Sequence, residues 1–139
     1  MKQIFFILFS LLFIGNTLSQ TWEVATATDN YVIYKSEINY LNKVDDINHQ
    51  RIIFKYENLT NNEITLHFNR DLTYKNANGI NEIRQDEDFK VTISANSSIE
   101  YDSKKIKDKT FYVFKKDNNG YIKSQLLNFD FININASKQ

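Results

Sequence analysis

The chain has 139 residues, in which 17 Lys and Arg balance 17 Asp and Glu and no cysteine occurs. Neutrality without a basic face excludes the usual mode of nucleic-acid binding, which needs clustered Lys and Arg to neutralise phosphates. Absence of cysteine excludes thiol nucleophiles, thiolate metal sites and disulfide switching, and leaves stability to the core.

The first element is "MKQIFFILFSLLFIGNTLSQ". Lys2 supplies a short positive start, and Ile4 to Ile14 is an apolar run well under the roughly 20 residues that span a bilayer. Ser19 offers a small residue for cleavage. This is the layout of a secretory signal peptide, so residues 1–19 are expected to be removed. The mature chain would be secreted or periplasmic, with no transmembrane span. No cysteine follows the apolar run, so no lipid anchor is expected. Cleavage removes Lys2 alone among the charged residues and leaves residues 20–139 with a net charge of −1. That length makes one domain, large enough to bury a single core without staples.

Past the leader the dominant period is two, with short β-branched and aromatic runs separated by Asn, Asp and Ser. The pattern predicts strands at Trp22–Thr26, Tyr31–Ser36, Arg51–Asn58, Glu63–Asn69, Leu72–Tyr74, Phe89–Ile93, Thr110–Lys116 and Ser124–Ile134. In "EITLHF", Ile64, Leu66 and Phe68 take the core face, while Glu63, Thr65 and His67 face water. In "FKVTI", Phe89, Val91 and Ile93 do the same against Lys90 and Thr92. "NANG" (76–79) and "DNNG" (117–120) place Asn and Gly where turns need positive φ, the second closing a hairpin. Helical turns have room only near Lys43–Asn48 and Lys104–Lys107. Neither a repeat nor a Pro- or Gly-rich linker divides the chain. The expected fold is therefore all-β, a single antiparallel sandwich of about seven or eight strands.

"IFKYENLTNNEITLHF" followed by "FKVTISANSSIEY" resembles the strand, polar turn, strand layout of small exported immunoglobulin-like domains of Gram-negative bacteria. The resemblance covers most of residues 51–134. It implies an immunoglobulin-like sandwich and carries over no catalytic residue, since that fold hosts many functions.

Side chains able to do chemistry are few. His67 reads as a surface histidine, and His49 in the polar "DINHQR" is the better candidate for a ligand or a pH-sensitive contact. Neither has a nucleophile context. Asp45 with Asp46, and Asp86, Glu87 and Asp88 in "DED", could serve as an acid pair for a small hydrolase, or as oxygen ligands for calcium together with "NANGINE" (76–82). The ordinary reading of both is a solvated loop. Lys104, Lys105, Lys107 and Lys109 in "SKKIKDK" could meet an anionic glycan, although such a run more often makes a soluble connector. Sequons occur at Asn58, Asn96 and Asn135 and arise readily by chance in an Asn-rich chain.

Aromatic residues on both faces of strands are harder to assign to a core. In "TFYVFKK", Phe111 and Val113 alternate with Tyr112 and Phe114, and "YVIY" repeats the pattern at Tyr34. Bulges in a double-sided core explain this, as does an apolar patch open to a partner. Two function classes follow. One is an exported noncatalytic binding or interaction module that uses Tyr112, Phe114 and Tyr34, with a protein, a glycan or a second copy as partner and no cofactor. The other is a small secreted hydrolase using the acidic segments, which lacks a nucleophile motif. Mass spectrometry of protein from the native host should find a chain beginning between residues 19 and 22, and intact Met1 in the membrane fraction would refute export with cleavage.

Overall fold

The computed structural model of the chain describes residues 20–120 and 123–139. The expected signal peptide, residues 1–19, lies outside the described residues. Alternating apolar and polar residues build eight strands: β1 Glu23–Ala27, β2 Tyr31–Asn42, β3 Ile47–Asn58, β4 Ile64–Asn76, β5 Asn81–Ile93, β6 Ser98–Glu100, β7 Tyr112–Asp117 and β8 Ser124–Lys138. A 3-10 turn at Lys109–Phe111, capped by the Asp108 side chain on the Thr110 N–H, leads into β7. Residues 43–46 form a turn, so β3 begins inside the segment read as helical.

All pairings are antiparallel, in the order β1-β2-β3-β7-β8-β4-β5, with β6 on β3 above β7. β7 and β8 share a single pair, Lys116 with Gln125, and the sheet folds over at that junction. Three strand spacings separate β3 from β4, about 14 Å in a flat sheet. Yet the rings of Tyr56 on β3 and Phe68 on β4 stack with centroids 5.7 Å apart, and Phe54 meets Phe131 of β8 at 5.0 Å. Only halves that face each other allow this, so β1-β2-β3-β6/β7 and β8-β4-β5 are the two layers of the core. Within the first layer β1, β2 and β3 form a meander, whereas the immunoglobulin constant-type order inserts a later strand beside the second.

Ile33, Phe54, Tyr56, Ile64, Leu66, Phe68, Val91, Ile93, Phe111 and Val113 fill the core, as their alternation requires. Thr65 departs from it. Expected to face water, it is fully buried, its hydroxyl 2.9 Å from that of Thr92 and close to Gln139. The two segments Glu63–Asn69 and Leu72–Tyr74 are one continuous strand, β4, because the polar Arg70 between them points inward. β5 likewise begins near Asn81, so "DED" lies in a strand and not in the solvated loop expected.

The turn "NLTNN" is structural. Asn58 is buried, donating through Nδ2 to the carbonyls of Asn62, Ile93 and Ser94 at 2.7, 3.1 and 3.1 Å, while its Oδ1 accepts from Thr60. These bonds tie the β3–β4 turn to the end of β5. "NANG" also turns as expected: Gly79 has φ +78°, and the Asn76 Oδ1 accepts from the N–H groups of Asn78 and Ile80. Phe54→Ala should cost about 3–5 kcal/mol, the range for a buried aromatic. Ile83→Ser, on a side chain 80% exposed, should stay within about 0.5 kcal/mol. Urea unfolding of the two variants checks both.

Candidate functional site

β7 has one bare edge. Its neighbour on that side, β8, leaves it after one pair, and the carbonyls it would have bonded need donors. Side chains from β4 supply them. Tyr74 donates its hydroxyl to the Phe114 carbonyl at 2.8 Å, and Arg70 donates Nη1 to the Tyr112 carbonyl at 3.3 Å. β4 belongs to the opposite layer and has both edges paired, so it reaches β7 through side chains alone, and a cleft of about 250 Å³ remains between them.

A β-bulge decides what faces this cleft. Phe68 pairs with Phe89, but Arg70 pairs with Asp86, so β5 holds an extra residue at Glu87–Asp88. Asp88 takes φ +63°, and its N–H donates to Asn69 Oδ1 at 3.0 Å. One extra residue exchanges the faces of everything beyond it. Without the bulge Ile83 and Glu87 would share the inward row of Phe89, Val91 and Ile93. With it, Ile83 turns to solvent, while Arg84 and Asp86 line the cleft. A second bulge, at Lys115, resets the pairing so that Phe114 stands opposite Arg51.

A chain of stacked groups crosses the cleft. The Arg84 guanidinium lies over the Tyr74 ring at 5.0 Å, and Tyr74 stacks on Phe114 at 6.5 Å. Phe114 meets His49 edge-on at 5.2 Å, and Arg51 is sandwiched between Tyr40 and Tyr112 at 3.7 and 3.9 Å. Arg51 also donates Nε to His49 Nε2 at 2.7 Å and Nη1 to the Ile106 carbonyl at 2.6 Å, which holds the lysine-rich connector against β3. Lys109, at the end of that connector, lines the cleft as well. Arg70 is 1% exposed, lies over Phe89 at 3.9 Å, and pairs with Asp86 at 3.3 Å.

Burial holds the Tyr74 hydroxyl protonated, its pKa pushed up to about 12, so it remains a donor. Burial is also the main reason the His49 pKa is lowered; the Arg51 charge adds to this and Asp117 partly offsets it. His49 is therefore neutral at pH 7, with Nε2 free to accept from Arg51.

Of the residues expected to form a binding face, Tyr112 and Phe114 line the cleft, both half-buried. Tyr34 does not join them. It sits on the same face of β2 but further along, its hydroxyl donating to Glu57 at 2.7 Å and its ring under Lys55 at 4.5 Å. Asp86, Glu87 and Asp88 do not converge, since Asp86 turns to Arg70 and the other two are exposed. Among the described residues no three His, Asp or Glu side chains form a group able to hold a metal ion. His67 is exposed, as its alternation requires. The arginines escaped sequence reasoning, although the signal was present: only Arg51, Arg70 and Arg84 occur in a chain that otherwise uses lysine.

A larger groove of about 730 Å³ runs along β2, and its lining carries charges of both signs, Lys35 with Glu23 and Glu37. Comparison of the chain with protein-family models, with curated proteins and with solved structures finds no match.

The neutral His49 makes stability depend on pH with a definite sign. Its native pKa lies below the unfolded value of about 6.5, so the unfolded chain takes up the proton first. Stability should be full above that value and fall as pH drops from there to the lower native pKa. Urea midpoints at pH 7.5 and 5.5 should show a loss that shrinks in His49→Gln.

Proposed function

We propose that this chain is an exported, noncatalytic binding domain and that the cleft between β7 and β4–β5 is its binding surface. The observation that carries this reading is the convergence there of Tyr112, Phe114 and Tyr74 with all three arginines of the chain. Concave sites that join aromatic walls to a few placed polar groups are the usual form of ligand pockets. Export rests on the leader-like N-terminus.

The noncatalytic character rests on the charge arrangement. A hydrolase working through paired carboxylates needs two of them facing one substrate. Among the described residues Asp86 is the sole carboxylate lining the cleft, and it is bound to Arg70. His49 Nε2, whose lone pair a general base would use, accepts instead from the Arg51 guanidinium. The partner is accordingly a glycan or a protein that is held and not transformed.

A glycan array and sedimentation equilibrium, each run on the wild type and on Tyr112→Leu, test the proposal. The wild type should bind at least one class of glycan or associate with itself, and the variant should lose at least 10-fold in affinity while its melting temperature changes by only a few degrees. Equal binding by both proteins would move the surface elsewhere. Cleavage of an arrayed ligand would favour the hydrolase.

A further inference from the structure

The cleft collects more cations than anions. Arg51, Arg70, Arg84 and Lys109 line it from β3, β4, β5 and the connector, against the single carboxylate of Asp86. Arg51 is 5% exposed and makes no ion pair among the described residues; its hydrogen-bond partners are His49 Nε2, the Tyr101 hydroxyl and the Ile106 carbonyl, all neutral. Neutral partners and aromatic faces satisfy its donors but leave its charge uncompensated. Arg70 is also incompletely matched: it shares one 3.3 Å contact with Asp86, and its buried Nε has no partner. Low-dielectric walls focus such a field into the cleft and raise the local concentration of anions. At the rim Arg84, whose side chain is 54% exposed, is paired among the described residues with Glu82 alone, an exposed bridge of the kind that contributes little. Lys109, which lines the same cleft, is exposed.

We infer that the cleft is an oxyanion site, taking a carboxylate, sulfate or phosphate group held by Arg84 and Lys109 at the rim, with the fixed charges of Arg51 and Arg70 behind them. The choice of arginine at these positions fits that role, because its planar fork matches an oxyanion with two parallel hydrogen bonds while still stacking on aromatic rings. About 250 Å³ is below the volume of a drug-sized pocket and suits one such group with a small part of its carrier. The inference rests on the reading of this cleft as the binding surface and names the chemistry it selects.

Nitrogen-15 NMR of the labelled protein tests it, following the three arginine Nε–H signals and the Lys109 and Phe114 amides. The probes are sodium phosphate, sodium sulfate, sodium glucuronate and glucose, with sodium chloride at matched ionic strength. At least one oxyanion should shift the Arg84 signal and the two amides saturably, and chloride should not. Arg84→Gln with Lys109→Gln should weaken that binding at least 10-fold while the melting temperature holds. Saturation by phosphate or sulfate alone assigns an inorganic or ester group, and saturation by glucuronate alone assigns a sugar acid. Shifts that fail to saturate, or that chloride reproduces, overturn the oxyanion site. Movement of the same signals by glucose with no response to any oxyanion also overturns it, yet leaves the cleft standing as a binding surface.

Discussion

The arrangement depends on one buried guanidinium. Arg70 enters the core from β4 at a position where alternation demands an apolar side chain, and it is fully enclosed. It stacks on Phe89, reaches Asp86 on β5 and donates across the fold to the Tyr112 carbonyl on β7. Burying a cation is unfavourable unless charge and hydrogen bonds compensate it, and here the carboxylate comes from β5 and the carbonyl from β7. The cost is thereby converted into a constraint that ties β4 and β5 of one layer to β7 of the other.

That constraint explains why a cleft exists. Both edges of β4 are taken by β5 and β8, so it faces β7 across the two layers, and only side chains can bridge that gap. Arg70 and Tyr74 supply side-chain donors to the Tyr112 and Phe114 carbonyls of β7 across that gap. The aromatic rings of Tyr112, Phe114 and Tyr74 then form walls. Their negative faces attract the guanidiniums of Arg51 and Arg84. Positive charge is held in place by the same rings that shape the opening.

Bulges perform the remaining work. Each inserts one residue and reverses the facing of the strand beyond it, and the two on β5 and β7 flank the cleft. The apolar end of β5, from Phe89 to Ile93, belongs to the core; past Asp88 the same inner face carries Arg84 and Asp86. A hydrophobic sheet is thus turned into a polar site within one strand.

Sequence alone determined the all-β class, most of the strands, the turns at "NANG" and "NLTNN", and a core of alternating Ile, Leu, Val and Phe, because these are local properties of period and turn chemistry. It also pointed to Tyr112 and Phe114, since these rings alternate with the apolar Phe111 and Val113 and leave that stretch without a polar face. The strand order, the separation of Tyr34 from those two rings and the dispersal of the "DED" carboxylates were decided by tertiary structure. So was the meeting of Arg51, Arg70 and Arg84, residues far apart in the chain, the last of them turned inward by a bulge that no local pattern announces. Face inversion depends on pairing with a distant strand, and pairing is a property of the folded sheet.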